Sequence, residues 1–213
     1  MYKRQTFDDG PGAKTTDRLL TALEENNARA TFYMLGQNVK NVKGSSEIIS
    51  RMKEIGCEVS SHTYDHTQLT KLGKDALNKQ FEDTDNEIKN IVGEGAVTVR
   101  PPYGSYNDTV KEVAKSYDQP IILWSIDTLD WKTKNVDSTY NEVMNNVSDG
   151  AIILFHDIYE QSVDAAIKLI PALQEKGYQL VTVSEMGEAK IGGLEPGQVY
   201  TDLYDSTINK LNN

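Results

Sequence analysis

Cysteine is almost missing from this sequence. Cys57 is the only one in 213 residues, which excludes an intrachain disulfide and any cysteine-built zinc site, and leaves the redox compartment open. Long apolar runs are absent too. The longest, around residues 121–124 and 151–155, are strand-sized, far short of the roughly 18 residues that span a bilayer. Nothing after Met1 resembles the apolar stretch of a secretory signal. The chain is therefore either cytosolic or a piece of an exported protein whose signal lies outside it. Basic residues are outnumbered: 22 Lys and Arg face 32 Asp and Glu, for a net charge of −10. That balance argues against nucleic acid, whose phosphates would be repelled, and against anionic membrane surfaces. A neutral substrate fits it better.

Histidine is scarce in an informative way. There are only three, His62, His66 and His156, and each falls in a short sequence suited to a hydrolase site rather than scattered over polar surface. Hydrophobic content of 38% with 25% charged residues allows one sizeable core.

Strand-like and helix-like segments alternate along the chain. Residues 30–35, 57–60, 97–100, 120–125, 151–155 and 179–183 are short and apolar, as buried parallel strands are. Between them, apolar residues recur at helical spacing within residues 16–26, 48–55, 77–91, 110–114, 140–147 and 163–170. Pro171 is expected to kink or divide the last helix. With a strand before the first motif, this pattern predicts an α/β fold of about seven parallel strands. The regular pattern fades after Ser184, so residues 188–213 are expected to form a peripheral tail.

The polar motifs follow the strands. In parallel β/α barrels the loops at the carboxyl ends of strands converge on one face, so residues distant in sequence would share one cleft. His62 and His66, four apart in His-Thr-Tyr-Asp-His, can bind one ion from a helical turn or compact loop, or can be one capping or core histidine and one exposed. The pair Asp8-Asp9 can be ordinary turn chemistry before Gly10-Pro11. Alternatively, one carboxylate completes a two-histidine, one-carboxylate set suited to zinc or a similar ion, while its neighbour accepts a proton from an attacking water. Arg100 is either a surface charge at a strand end or the partner of a catalytic carboxylate. Pro101-Pro102-Tyr103-Gly104 makes a rigid loop able to aim a backbone N–H at an oxyanion. His156, as a proton donor, needs an orienting acid; Asp127 and Asp130 are candidates, and Trp131 offers an apolar wall.

Together, Thr6-Phe7-Asp8-Asp9-Gly10-Pro11, His62-Thr63-Tyr64-Asp65-His66, Arg100-Pro101-Pro102-Tyr103-Gly104, Asp127-Thr128-Leu129-Asp130-Trp131 and Leu154-Phe155-His156 resemble the five motifs, in order, of the polysaccharide deacetylases of carbohydrate esterase family 4, the NodB-homology domain. The resemblance spans roughly residues 6–184. It implies a distorted, incomplete (β/α) barrel, TIM-barrel-like, and metal-dependent removal of acetyl groups from N-acetylated sugars. It also implies roles: Asp8 as base with Arg100 positioning it, and Asp9, His62 and His66 as metal ligands. The Tyr103 N–H would bind the oxyanion. His156 would be the acid, oriented by Asp130, and Trp131 and Leu154 would form the pocket for the acetyl methyl. Asp127 is left as structural.

On this resemblance residues 1–187 form the catalytic domain, and the ion is zinc, with cobalt or nickel as substitutes. The expected substrate is an acetylated glycan, with peptidoglycan N-acetylglucosamine ahead of chitin oligosaccharides. An acetyl-xylan esterase is the alternative, and a non-catalytic glycan-binding relative a more distant one. The family usually has an apolar strand before its first motif, whereas this chain has Tyr2-Lys3-Arg4-Gln5. A central strand of that composition would bury charge. The expectation is a first strand that is cut short or foreign, in a protein whose full length is extracytoplasmic or wall-associated.

Overall fold

The computed structural model describes residues 2–211. Numbered in chain order, its strands are β1 (Tyr2–Gly10), β2 (Thr31–Met34), β3 (Glu58–Ser61), β4 (Ile121–Ile122), β5 (Ile126–Asp127), β6 (Ile152–His156), β7 (Gln179–Leu180) and β8 (Val199–Tyr200). Its helices are α1 (Thr15–Glu25), α2 (Gly36–Asn41), α3 (Ser45–Glu54), α4 (Lys74–Val92), α5 (Asp108–Ser116), α6 (Asp130–Thr133), α7 (Val136–Asn146), α8 (Glu160–Glu175), α9 (Val183–Ile191) and α10 (Asp205–Leu211).

Every strand pairing is parallel. The order β3-β2-β1-β6-β5 places β1 at the centre, and β7 also pairs with its first residues. Val99 carries the sheet onward from β3 by single bridges, to Ser61 on one side and Ile121 of β4 on the other. β4 in turn pairs with β8. A parallel sheet puts the carboxyl ends of its strands on one side. Residues 97–100, expected to form a strand, contribute only those bridges.

β1 forms despite its polar start: its backbone pairs from Tyr2 onward, and Gln5 is fully buried. The middle of the strand is apolar where it matters, with Phe7 stacked between Phe32 and Phe155 of the two neighbouring strands. Leu19, Leu20 and Leu23 of α1, Ile49 and Met52 of α3, and Val163, Ala166 and Ile170 of α8 pack the helices onto this layer.

Two expectations are refined. Pro171 neither ends nor divides α8, which continues to Glu175. Leu169, Ile170 and Leu173 are buried on either side of it, and their packing outweighs the one backbone bond that proline removes. The stretch after Ser184 is also more ordered than its pattern suggests. β8 adds to β4, and Tyr200 and Leu203 are buried with Ile122, Ile152 and Met186. Cys57 is buried, and burial pushes its thiol up to about 12, so it stays protonated and inert.

Candidate active site

Asp8 and His156 stand side by side, one at the end of β1 and the other at the end of β6, as directly paired register positions. Between Asp8 and Gly10 the register of β1 against β2 slips. Asp9 occupies that bulge with φ 69°, so adjacent carboxylates point to different surroundings. Asn38 of α2 fixes the turn by donating its Nδ2–H to the Asp9 carbonyl at 2.8 Å.

Asp8 is buried against Arg100, which is itself fully buried. Arg100 Nη1 donates to Asp8 Oδ1 and to Thr6 Oγ1, each at 2.7 Å. Its Nε and Nη2 donate to the carbonyls of Ile122 and Leu123. The guanidinium also lies 4.1 Å above the Tyr33 ring. Arg100 is thus no surface charge. Burial raises the Asp8 pKa above the ordinary carboxylate value, while Arg100 and His156 oppose that rise.

His62 and His66 flank Asp9. The Nε2 of each lies 3.6 Å from Asp9 Oδ1, and the ligand atoms of all three residues fall within 4.8 Å of one another. His62 Nδ1 is 2.7 Å from the Arg100 carbonyl, an acceptor that only the Nδ1–H tautomer satisfies, so its Nε2 lone pair faces Asp9. Burial pushes the His62 pKa down to about 3, keeping the ring neutral. Asp9 Oδ1 is buried with no hydrogen-bond partner among the described residues. A buried carboxylate oxygen without a donor, facing two imidazole nitrogens, calls for a cation. The set fits a divalent ion.

His156 is held by Asp130, the first residue of α6. Asp130 Oδ1 is 2.9 Å from His156 Nδ1, and Oδ2 accepts the His156 backbone N–H at 2.8 Å. Burial opposes a charge on His156, but the Asp130 hydrogen bond and the nearby Asp8 and Asp9 carboxylates prevail and push its pKa up to about 9. Burial would likewise raise Asp130, yet its bonds to His156 hold it below the ordinary value.

Asp8, Asp9, His62, His66 and His156 line one cavity of about 440 Å³, with Tyr103, Trp124, Asp127, Trp131, Leu154 and Tyr159 completing its wall and Arg100 and Asp130 behind it. Tyr103 is 68% exposed and sits at φ 61°, ψ 12° in the Pro102–Gly104 turn; its hydroxyl lies 3.2 Å from His66 Nδ1. Trp131 is 47% exposed and Leu154 is buried. Asp127 is on the wall as well, and its Oδ1 accepts the Leu129 N–H at 2.9 Å. Of the eight non-glycine residues with left-handed φ among the described residues, Asp9, Thr63, His66, Tyr103 and Leu129 lie in these loops. Such concentrated backbone strain is typical of functional sites.

All ten residues singled out in the sequence meet around this cavity or directly support it. Trp124 and Tyr159 were missed: neither sits in a polar motif, and an isolated aromatic reads as core. Asp157 was missed as well. It is fully buried behind the Asp9 turn, and burial pushes its pKa up to about 7.

The model for the family described as "Polysaccharide deacetylase" matches residues 4–122. Over 186 residues the chain is 43% identical to the peptidoglycan-N-acetylmuramic acid deacetylase PdaC of Bacillus subtilis, a match covering 87% of this chain and 38% of that protein. Over 205 residues it is 37% identical to the peptidoglycan-N-acetylglucosamine deacetylase PgdA of Listeria monocytogenes, covering 96% and 42%. The chain thus spans about two fifths of the length of these relatives. Among solved structures, a family 4 acetyl xylan esterase from Clostridium thermocellum, in complex with cobalt, superimposes with a TM-score of 0.88 at 28% identity, over 95% of this chain and 99% of that one.

Proposed function

Because the chain belongs to the polysaccharide deacetylase family, carbohydrate esterase family 4, we propose that it hydrolyses the acetamide of N-acetylglucosamine units, in peptidoglycan or chitin-type glycans, to acetate and a free amine. The observation that carries this reading is the pair Asp8 and His156. They are adjacent on β1 and β6, each has its own charged partner, and both line the cavity that holds Asp9, His62 and His66.

Asp8 is the base. Arg100 keeps its carboxylate ionised, while burial leaves it basic enough to take a proton from the attacking water. Arg100 is a positioning residue for Asp8: it is buried behind the cavity wall and does not face the sugar. His156 is the acid: a pKa near 9 keeps it protonated at neutral pH. With Nδ1 engaged by Asp130, the proton it gives to the departing nitrogen comes from Nε2. The backbone N–H of Tyr103 is the donor assigned to the developing oxyanion. Leu154 and Trp131 take the acetyl methyl, and Trp124 extends that apolar wall.

Asp9, His62 and His66 would hold one divalent cation, zinc first and cobalt or nickel as substitutes, which when bound supplies the Lewis acidity that polarises a carbonyl and acidifies water. The scaffold for this chemistry is a distorted, incomplete (β/α) barrel. The full-length protein works outside the cytoplasm, at the cell wall, as the relatives' peptidoglycan substrates suggest. Among the described residues no helix is long and apolar enough to cross a membrane.

Substrate choice rests on charge. The wall of the cavity carries Asp8, Asp9 and Asp127 and no Lys or Arg among the described residues, which favours a neutral N-acetylglucosamine unit over one bearing a free acid. Acetyl xylan is the second reading, supported by the likeness to the C. thermocellum esterase. Against both stands a glycan-binding relative without activity, for which an acid and a base would be idle.

One panel separates these readings. Acetate release is measured from N-acetylglucosamine oligomers, peptidoglycan with N-acetylated glucosamine or muramic acid, and acetylated xylan. Each is run native, after chelation, and after zinc, cobalt or nickel is restored. Fastest release from the N-acetylglucosamine substrates, lost on chelation and recovered on restoration, is the expected result. Preference for xylan would support the esterase, and binding without turnover would support the inactive relative.

A further inference from the structure

The residue after His156 does not face the cavity. Asp157 is fully buried and its Oδ2 accepts a hydrogen bond from Thr16 Oγ1. Thr16, also fully buried near the start of α1, accepts the Gly12 N–H on the same oxygen at 2.8 Å. A chain of two hydrogen bonds therefore ties the end of β6 to the turn that follows Asp9. The other carboxyl oxygen, Oδ1, is buried with no hydrogen-bond partner among the described residues. It lies against Gly10: a Cβ there would sit 2.7 and 2.8 Å from the two Asp157 oxygens. Gly10 does not have a positive φ, so space rather than backbone conformation explains why a glycine stands there.

We propose that Asp157 is a positioning residue of the metal centre, whose carboxyl, wedged between Gly10 and Thr16, fixes the turn that presents Asp9 to His62 and His66. From the opposite side the same turn is held by Asn38 at the Asp9 carbonyl and by the Leu35 N–H at the Gly10 carbonyl, 3.2 Å away. Asp9 is thus gripped from two directions, and only the Asp157 side also sets the end of β6, where His156 sits. An orphaned buried carboxyl oxygen costs stability; holding the ligand loop in place accounts for its retention here. Groups that orient a metal ligand from behind typically govern affinity by about 10–100-fold.

This inference rests on the metal-site reading above, so its test reads zinc binding apart from turnover. Zinc affinity is measured by chelator competition on folded protein, well below each variant's melting temperature, for the unsubstituted chain, Asp157→Ala, Asp157→Asn and Thr16→Val. The expected result is zinc binding weakened by about 10–100-fold in Asp157→Ala and Thr16→Val, with kcat falling more than KM rises. Asp157→Asn keeps the shape and an oxygen acceptor for Thr16, and should bind zinc close to the unsubstituted level. Gly10→Ala should also weaken zinc, and should do so less in an Asp157→Ala background, because the two positions share one space.

A merely structural Asp157 would lower the melting temperature and leave zinc affinity of the folded protein unchanged. Unchanged affinity in both Asp157→Ala and Thr16→Val overturns the proposal while the metal site stands. An unsubstituted chain that binds no zinc overturns the site reading and this inference with it.

Discussion

Asp130 grips His156 twice, through the imidazole Nδ1 at 2.9 Å and through the backbone N–H at 2.8 Å. One carboxylate therefore sets both the position of the ring and its affinity for a proton. Asp130→Ala removes the main cause of the raised His156 pKa. The basic limb of the kcat–pH profile, expected near pH 9, should move down toward the ordinary histidine value of 6.5. An unmoved limb would take His156 out of the acid role.

The same pair bears on stability, and the sign follows from the direction of the shift. His156 binds its proton more tightly folded than unfolded, so its contribution is fully present below pH 6.5 and is lost as pH rises through about 9. Denaturant midpoints measured across pH 6–10 should show a decline in this window, and Asp130→Ala should flatten it.

Asp8→Asn should retain the cation and lose about 10²–10⁴-fold in kcat, the usual reach of a general base. Metal content and acetate release, measured on the same sample, check both halves. Full turnover would remove Asp8 from the base role.

His62→Ala deletes a neutral, buried ring whose Nε2 faces Asp9. Zinc stoichiometry by equilibrium dialysis should fall toward zero. Near-full occupancy would show that the ligands lie elsewhere.

Arg100→Ala leaves Asp8 buried without its partner. Breaking a buried ion pair from one side costs about 3–5 kcal/mol, to be read from urea unfolding, and the acid limb of kcat should shift upward because the charge that lowers the Asp8 pKa is gone. A small loss would mean that solvent reaches the site.

Much of this was readable from the chain because the chemistry sits in short polar motifs, all but the first of them after a strand-like segment. Leu154-Phe155-His156 announces a strand and its functional end together, and Asp8-Asp9 is conspicuous beside Phe7. What escaped notice lacked such contrast. Trp124 and Tyr159 line the cavity, but a single aromatic next to an apolar residue, as each of them is, looks like core. Asp157 reads as an ordinary turn residue until its burial is seen. β5 and β8 are two residues each, too short for any alternation to register, whereas the equally short β4 and β7 lie inside the apolar runs 120–125 and 179–183 that mark strands. The six-residue α2 opens on Gly36 and carries no apolar stripe. Pro171 does not divide α8, because burial on both sides of it outweighs that local signal.

β1 is bonded to β2, β6 and β7 at once, and Asp8 rides on it. Sliding any of these seams by one residue would carry Asp8 about 3.3 Å along the sheet, beyond the tolerance of its bond to Arg100. Activity should therefore not fade gradually as the protein is heated. It should persist until the central strand melts and then disappear in the same narrow interval as the far-ultraviolet circular dichroism.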